Sequence, residues 1–262
     1  MSCLKRLRAL AHFPTPNQRR EASMPHQLRV MTYNIRLGIQ EGLYAISQVI
    51  DEADADVVAL QEVGHHWTMG PSGDSTARLS ALTGLEHHIF IPAIIEDRPG
   101  QEPARYGQAL LSRWPILEVQ VDPLPQIRDE PRRLARVLID SPAGAVEIFC
   151  THLSYLEEDR PQQGQVLRER ICAAPLCGAD DAPVARFIMG DFNEPERAEW
   201  LEALVAVCDD PGAPEAIETF PAHQPDRRID FVLGQGARAL AHRVLENATA
   251  SDHLGVLTLW EV

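Results

Sequence analysis

The sequence contains no apolar run of about 18 residues, the length a helix needs to cross a bilayer, so no segment reads as a membrane span. The first 27 residues also lack the apolar centre of a secretory signal. They carry Lys5, Arg6, Arg8, Arg19 and Arg20 among Pro, Gln and Ser, and are expected to form a flexible basic arm, with Met24 as an alternative start. A cytoplasmic protein is the expectation. Paired cysteines are missing too. Cys3, Cys150, Cys172, Cys177 and Cys208 form an odd, scattered set, and neither Cys172 nor Cys177 has a histidine nearby at zinc spacing, which leaves buried or idle thiols. There is no excess of positive charge: 24 Lys and Arg stand against 38 Asp and Glu, a net charge of −14. That balance argues against holding nucleic acid by broad phosphate neutralisation, which needs a basic face. A local cluster of arginines beside a pocket remains compatible with it, and Arg is the better bidentate phosphate ligand. Internal repeats and linkers are absent as well. What is there, 262 residues of which 45% are hydrophobic, suffices for one sizeable core, expected over residues 28–262 after an arm at 1–27.

Along that domain, LRVMTYNI is a β-rich run ending on Asn34, and Leu43, Ile46, Val49, Ile50 and Ala53 then recur at helical spacing. Asp56 opens DVVALQEV, a short apolar strand with Gln61 and Glu62 near its end, an odd place for polar side chains unless the strand end faces a site. A loop rich in Gly, His and Trp follows. Its adjacent His65 and His66 would need special backbone geometry to share an ion and read more simply as solvated. Ser75 to Thr83 reads as a helix stopped by Gly84, and GQEPARYGQALLSRWPI passes from loop to strand. RRLARVLID, an SPAG turn and AVEIFCTHL form a hairpin whose second strand ends on His152. Helices are expected over 161–175 and 198–207, and strands in RRIDFVLG, ARALAHRVLE and HLGVLTLW.

The most telling stretch is RFIMGDFNEPE, residues 186–196. An apolar strand runs into Gly190 and presents Asp191 and Asn193, which in an extended chain share a face while Phe192 turns into the core. Glu194-Pro195 stops the pairing, and a helix is expected to start near Glu196.

Polar groups thus end separate apolar strands: Asn34, Glu62, His152, Asp191 with Asn193, Asp230, and Asp252 with His253. The strings MTYNI, LQEV, CTHL, GDFN, RIDFV and SDH, in that order over most of residues 28–262, resemble the endonuclease/exonuclease/phosphatase superfamily with its DNase I-like fold. The resemblance implies an α/β (α+β) domain, a four-layered α/β/β/α sandwich of two mixed β-sheets flanked by helices. Independently, carboxylates converging on one pocket repel by roughly 4 kcal/mol per pair at about 4 Å and an effective dielectric near 20, unless a cation sits among them. Oxygen ligands favour a hard ion such as Mg²⁺ or Mn²⁺. Carried over from the family, Glu62 would be the principal metal ligand, helped by Asn34 and Asp252. His253 oriented by Asp230 resembles the family's histidine–aspartate pair, Asp191 the carboxylate that handles the water or leaving-group proton, and His152 and Asn193 would stabilise charge on the phosphate. Which of Asp191 and His253 is the base stays open at this point. A serine-hydrolase reading of Ser251, Asp252 and His253 fails, because consecutive residues cannot form the required relay.

The function expected is a Mg²⁺-dependent phosphoesterase, its substrate classes ranked by charge: a small or lipid-derived phosphomonoester or phosphodiester first, nucleic acid second. DNA-repair members of the family carry a dedicated tyrosine between the second and third motifs; Tyr106 sits in that interval, but its surroundings read as a core strand. An endonuclease, exonuclease or abasic-site endonuclease is therefore the alternative. A catalytically inactive binding protein is disfavoured because every expected position holds a competent residue. A monomer is expected.

Overall fold

The computed structural model describes residues 26–173, 176, 182–195, 198–246 and 249–262. The expected basic arm, apart from its last two residues, the helix start near Glu196, and Cys3 and Cys177 all lie outside the described residues. Among the described residues the chain forms eleven strands and four α-helices. In order these are β1 (Gln27–Asn34), α1 (Gly42–Ala53), β2 (Val57–His65), α2 (Ser75–Thr83), β3 (His87–Glu96), β4 (Ala104–Ser112), β5 (Ile116–Pro123), β6 (Arg133–Ser141) and β7 (Gly144–His152). They are followed by α3 (Arg160–Ala173), β8 (Ala185–Asp191), α4 (Glu199–Val205), β9 (Asp230–Gln235), β10 (Arg238–Val244) and β11 (Val256–Glu261).

Two mixed sheets result, one of six strands in the order β10-β11-β1-β2-β4-β3 and one of five in the order β5-β6-β7-β8-β9. Each has one parallel pair, β1 with β2 and β7 with β8. Strand alternation sorts the apolar side chains into three cores. Leu28 and Val30 of β1, Val146, Ile148 and Cys150 of β7, and Phe187 and Met189 of β8 meet between the sheets. Met31 and Tyr33 turn the other way, onto Leu43, Ile46 and Ile50 of α1 and Leu79 of α2. Ile188 and Phe192 face Leu167 and Ile171 of α3 and Leu201 and Leu204 of α4. The architecture is the DNase I-like sandwich, helices outside and sheets packed face to face.

Parity also positions the polar strand ends. Asn34, His152, Asp191 and Asp230 share the odd–even phase of the inward apolar residues on their strands, so they continue the inter-sheet face where the core opens. Register aligns three of them, with His152 directly opposite Asp191 and Asp191 directly opposite Asp230.

Most expected elements appear near their expected bounds, with physical differences. The strand from Val57 runs on to His65 and carries a bulge between Leu60 and Val63, so His65 belongs to a strand and not to the following loop. α4 spans Glu199–Val205, shorter than 198–207. β3 and β5 were not anticipated; each is the outer strand of its sheet, and β5 has no fully buried residue to mark it.

Candidate active site

Glu62 owes its direction to the bulge. Gln61 keeps the inward phase and is sealed by Thr32, whose hydroxyl donates to Oε1 at 3.2 Å. The next residue takes φ 54°, a left-handed conformation uncommon for a side-chain-bearing residue, and this turns Glu62 toward the pocket as well. Both polar residues that looked misplaced in a strand are thereby explained.

Asn34 stands at the centre. Its Nδ2 donates to Glu62 Oε1 and to Asp191 Oδ2, each at 3.0 Å, while its Oδ1 accepts from the Arg36 N–H at 3.0 Å. Asp191 is 1% exposed. Its Oδ2 lies 3.4 Å from His152 Nε2 and 3.7 Å from His253 Nε2. The extended alternation expected for Asp191 and Asn193 is replaced by a turn: Asn193 has φ 51° and its N–H donates to Asp191 Oδ1 at 2.8 Å. Phe192 is buried, as its place between them demands. The Asn193 amide then donates to Leu153 O at 3.0 Å and meets His152 Nε2 at 3.1 Å.

Asp230 opens β9 and its Oδ2 accepts from His253 Nδ1 at 3.0 Å and from the Thr219 hydroxyl at 2.6 Å. A pairing of Asp230 with Arg227 or Arg228 does not occur; those arginines bind Asp226 and Asp210. Asp230 Oδ1 is buried without a partner. One oxygen or nitrogen from each of Asp191, Asp230 and His253 lies within 4.8 Å of the others. Asp252 sits at the rim, 3.3 Å from Arg36 Nε, and Ser251 donates its hydroxyl to Asn34 O at 2.8 Å, away from any serine relay.

The electrostatics follow from burial and these neighbours. Burial would push His253 down, but the carboxylates of Asp230 and Asp191 outweigh it and lift it to about 10, so the imidazole is charged at neutral pH. Burial raises Asp191 to about 7, against the pull of His253, with Asp230 adding to the rise. His152 is held well below its ordinary value by burial, by Arg132 and by His253, and is neutral. Its Nε2 can then accept from Asn193.

Several groups here carry no signature in the sequence. Thr219 lies in a loop whose role appears only when β9 is packed. Phe220 packs against the His253 ring, centroids 4.6 Å apart. Tyr106, expected in a core strand, does sit in β4, yet its ring lines a small cavity with Arg132 and His152, on the wall of the site. Arg132 is 5% exposed and binds Asp129 and Glu130 at 3.3 and 3.2 Å. His65 Nε2 is engaged by Thr76 Oγ1 at 2.8 Å and Asp74 at 2.9 Å, and its ring stacks on Phe90.

Similarity to known proteins agrees with this geometry. An endonuclease/exonuclease/phosphatase from Beutenbergia cavernae is 26% identical, with TM-score 0.75 over 90% of this chain and 72% of that one. A mannosyl-6-phosphatase from Bacteroides thetaiotaomicron is 16% identical, with TM-score 0.70 over 88% and 98%. Sphingomyelinase C from Streptomyces griseocarneus is 18% identical, with TM-score 0.60 over 89% and 99%. At these last two identities the likeness is one of fold. No curated protein sequence gives a significant match. The family model described as "Endonuclease/Exonuclease/phosphatase family" matches residues 31–253, through every strand end that forms the pocket, and the chain belongs to that family of hydrolases acting on phosphoric ester bonds.

Proposed function

We propose that the protein is a Mg²⁺- or Mn²⁺-dependent phosphoesterase that cleaves a small or lipid-derived phosphomonoester or phosphodiester by in-line attack of water. The observation that carries this reading is Asp191, a buried carboxyl raised to about 7 and set 3.7 Å from an imidazole raised to about 10. Family enzymes are in general dependent on a divalent metal, and the donor set suits a hard cation. Carboxylate oxygens of Glu62 and Asp191 converge on one amide of Asn34, and Asp230 Oδ1 is buried without a partner. Glu62 with Asn34 would hold the ion. Ligation by Asn34 requires its Oδ1, which here accepts the Arg36 N–H, and Asp252 would join by exchanging its Arg36 partner. When bound, the cation supplies charge neutralisation and Lewis acidity at the phosphoryl oxygens.

The chain's own groups divide the remaining work. Asp191, partly ionised near neutrality, accepts the proton of the attacking water. His253, fixed through Nδ1 by Asp230, directs its Nε2–H at the phosphate and returns a proton to the leaving oxygen. Neutral His152 and the Asn193 amide stabilise charge gathering on the equatorial oxygens.

A nuclease is the second reading, favoured by the ring of Tyr106 on the wall of the site and opposed by the net charge of −14. A panel of divalent metals against monoesters, diesters, sphingomyelin, abasic-site duplex and single-stranded nucleic acid tests both. Metal-dependent turnover of small or lipid esters is the expected result. Fast cleavage of abasic DNA would reverse the ranking.

A further inference from the structure

The segments leaving β7 and β8 supply His152 and Asn193, and one buried ion pair ties them together. Arg160, the first residue of α3, is 6% exposed, and Glu194, the residue after Asn193, is 8% exposed. Arg160 Nε donates to Glu194 Oε2 at 2.7 Å. The other arm of the same guanidinium donates through Nη1 to Tyr155 O at 2.9 Å and Ser154 O at 3.4 Å. Arg160 therefore grips the backbone just beyond His152 with one arm and the carboxylate just beyond Asn193 with the other. Glu194 Oε2 also accepts from Trp200 Nε1 of α4 at 3.2 Å. Trp200 in turn lies so close to Gly164 of α3 that a Cβ there would come within 2.1 Å of its ring.

We propose that Arg160 and Glu194 are positioning residues for the His152–Asn193 pair, a buried clasp that holds Asn193 in its left-handed turn with its amide against His152. The inference rests on the reading that this pair faces the substrate phosphate. The physical case is one of competing tendencies. Asn tolerates the left-handed region better than most side-chain-bearing residues, so φ 51° makes the turn available to Asn193 without fixing where its amide points, and that amide spans two loops, reaching Leu153 O and His152 Nε2. Burying an ion pair is a costly way to add stability and a specific way to fix geometry, because each charge accepts little but its partner. Here two donors, Arg160 Nε of α3 and Trp200 Nε1 of α4, converge on the residue adjoining the turn, and neither touches the reacting groups directly.

The test uses the full chain with Mg²⁺ or Mn²⁺ and whichever of p-nitrophenyl phosphate and bis-p-nitrophenyl phosphate it turns over. Glu194→Gln and the double change Arg160→Met with Glu194→Met are compared with wild type for kcat, KM, thermal midpoint and the imidazole ¹⁵N signals of His152. Replacing a buried ion pair by apolar side chains of similar size is often neutral for stability, so the double variant is expected to melt near wild type. Its kcat should nevertheless fall about tenfold or more with KM changed less than about twofold, as for a misplaced transition-state group, and the His152 Nε2 signal should move. Wild-type kcat and an unmoved His152 signal in a well-folded double variant would overturn the inference. His253→Ala serves as the separate control: undiminished turnover there refutes the site reading, while the His152 signal still judges the clasp.

Discussion

Replacing Asp230 by Asn should uncouple His253 from its charge while leaving its seat intact. The amide has the carboxylate's volume, and its oxygen can still accept from Thr219, now 2.6 Å away. What disappears is the attraction across the 3.0 Å contact with His253 Nδ1, worth about 5.5 kcal/mol at an effective dielectric near 20, or ~4 pKa units. Burial opposes the charged imidazole, and Asp191, 3.7 Å away, supports it from the other side. With Asp230 neutral, His253 should fall from about 10 by about three units or more, to near or below 7. Following the His253 ring resonances through a pH titration of the metal-free protein reads this directly. In turnover assays the alkaline limb of kcat/KM should move down by a similar amount. Stability carries the same signature. A histidine raised in the folded state contributes stability fully below its ordinary value of 6.5 and loses it as pH climbs to about 10, so wild type and variant should differ most near pH 6 and converge near pH 10. A His253 titration that shifts by less than about one unit would refute the assignment of Asp230 as its charge partner.

Other perturbations separate metal binding, backbone and proton transfer. Glu62→Gln should abolish metal-dependent hydrolysis of bis-p-nitrophenyl phosphate and weaken Mn²⁺ binding by calorimetry; undiminished turnover would remove Glu62 from the metal site. Gly190→Ala should destabilise the fold by at least about 3 kcal/mol in urea unfolding, because φ is 155° and a Cβ would lie 2.0 Å from Thr151 O inside the β7–β8 pairing. The acid limb of kcat/KM should report Asp191, activity rising as pH passes about 7 and the carboxylate forms, with bound metal drawing that limb lower.

Apolar runs made β1, β7 and β8 legible because both faces of these strands are buried, Leu28 and Val30 in one core and Met31 and Tyr33 in another, whereas the sandwich arrangement followed from the family resemblance. β5 escaped because an exposed edge strand has no such buried run. At the site, order along the chain identified which residues meet, since each lies at or near one end of an apolar strand. It did not reveal how they meet. The bulge that turns Glu62 inward uses a backbone dihedral that glutamate seldom adopts and that no residue type announces, while Asn193 is a residue type that permits its turn without dictating it. Arg160 was equally hidden, being one arginine among many at the start of a helix whose neighbours are decided only by packing.

The seat of β1 between β2 and β11 bears on how the protein comes into being on the ribosome. β1 can pair with β2 as soon as both have emerged, but its other edge stays bare until β11 arrives, and the bond from Thr258 to Val30 spans 228 positions. A nascent chain therefore displays Glu62, His152 and Asp191 long before His253 exists, and with an unpaired strand edge that invites chaperones or stray partners. On the proposed mechanism, hydrolytic competence would arrive in one late event, when sheet closure and the arrival of the His253 imidazole coincide. A copy terminated before His253 would then lack both the proposed proton donor and the strand that closes β1.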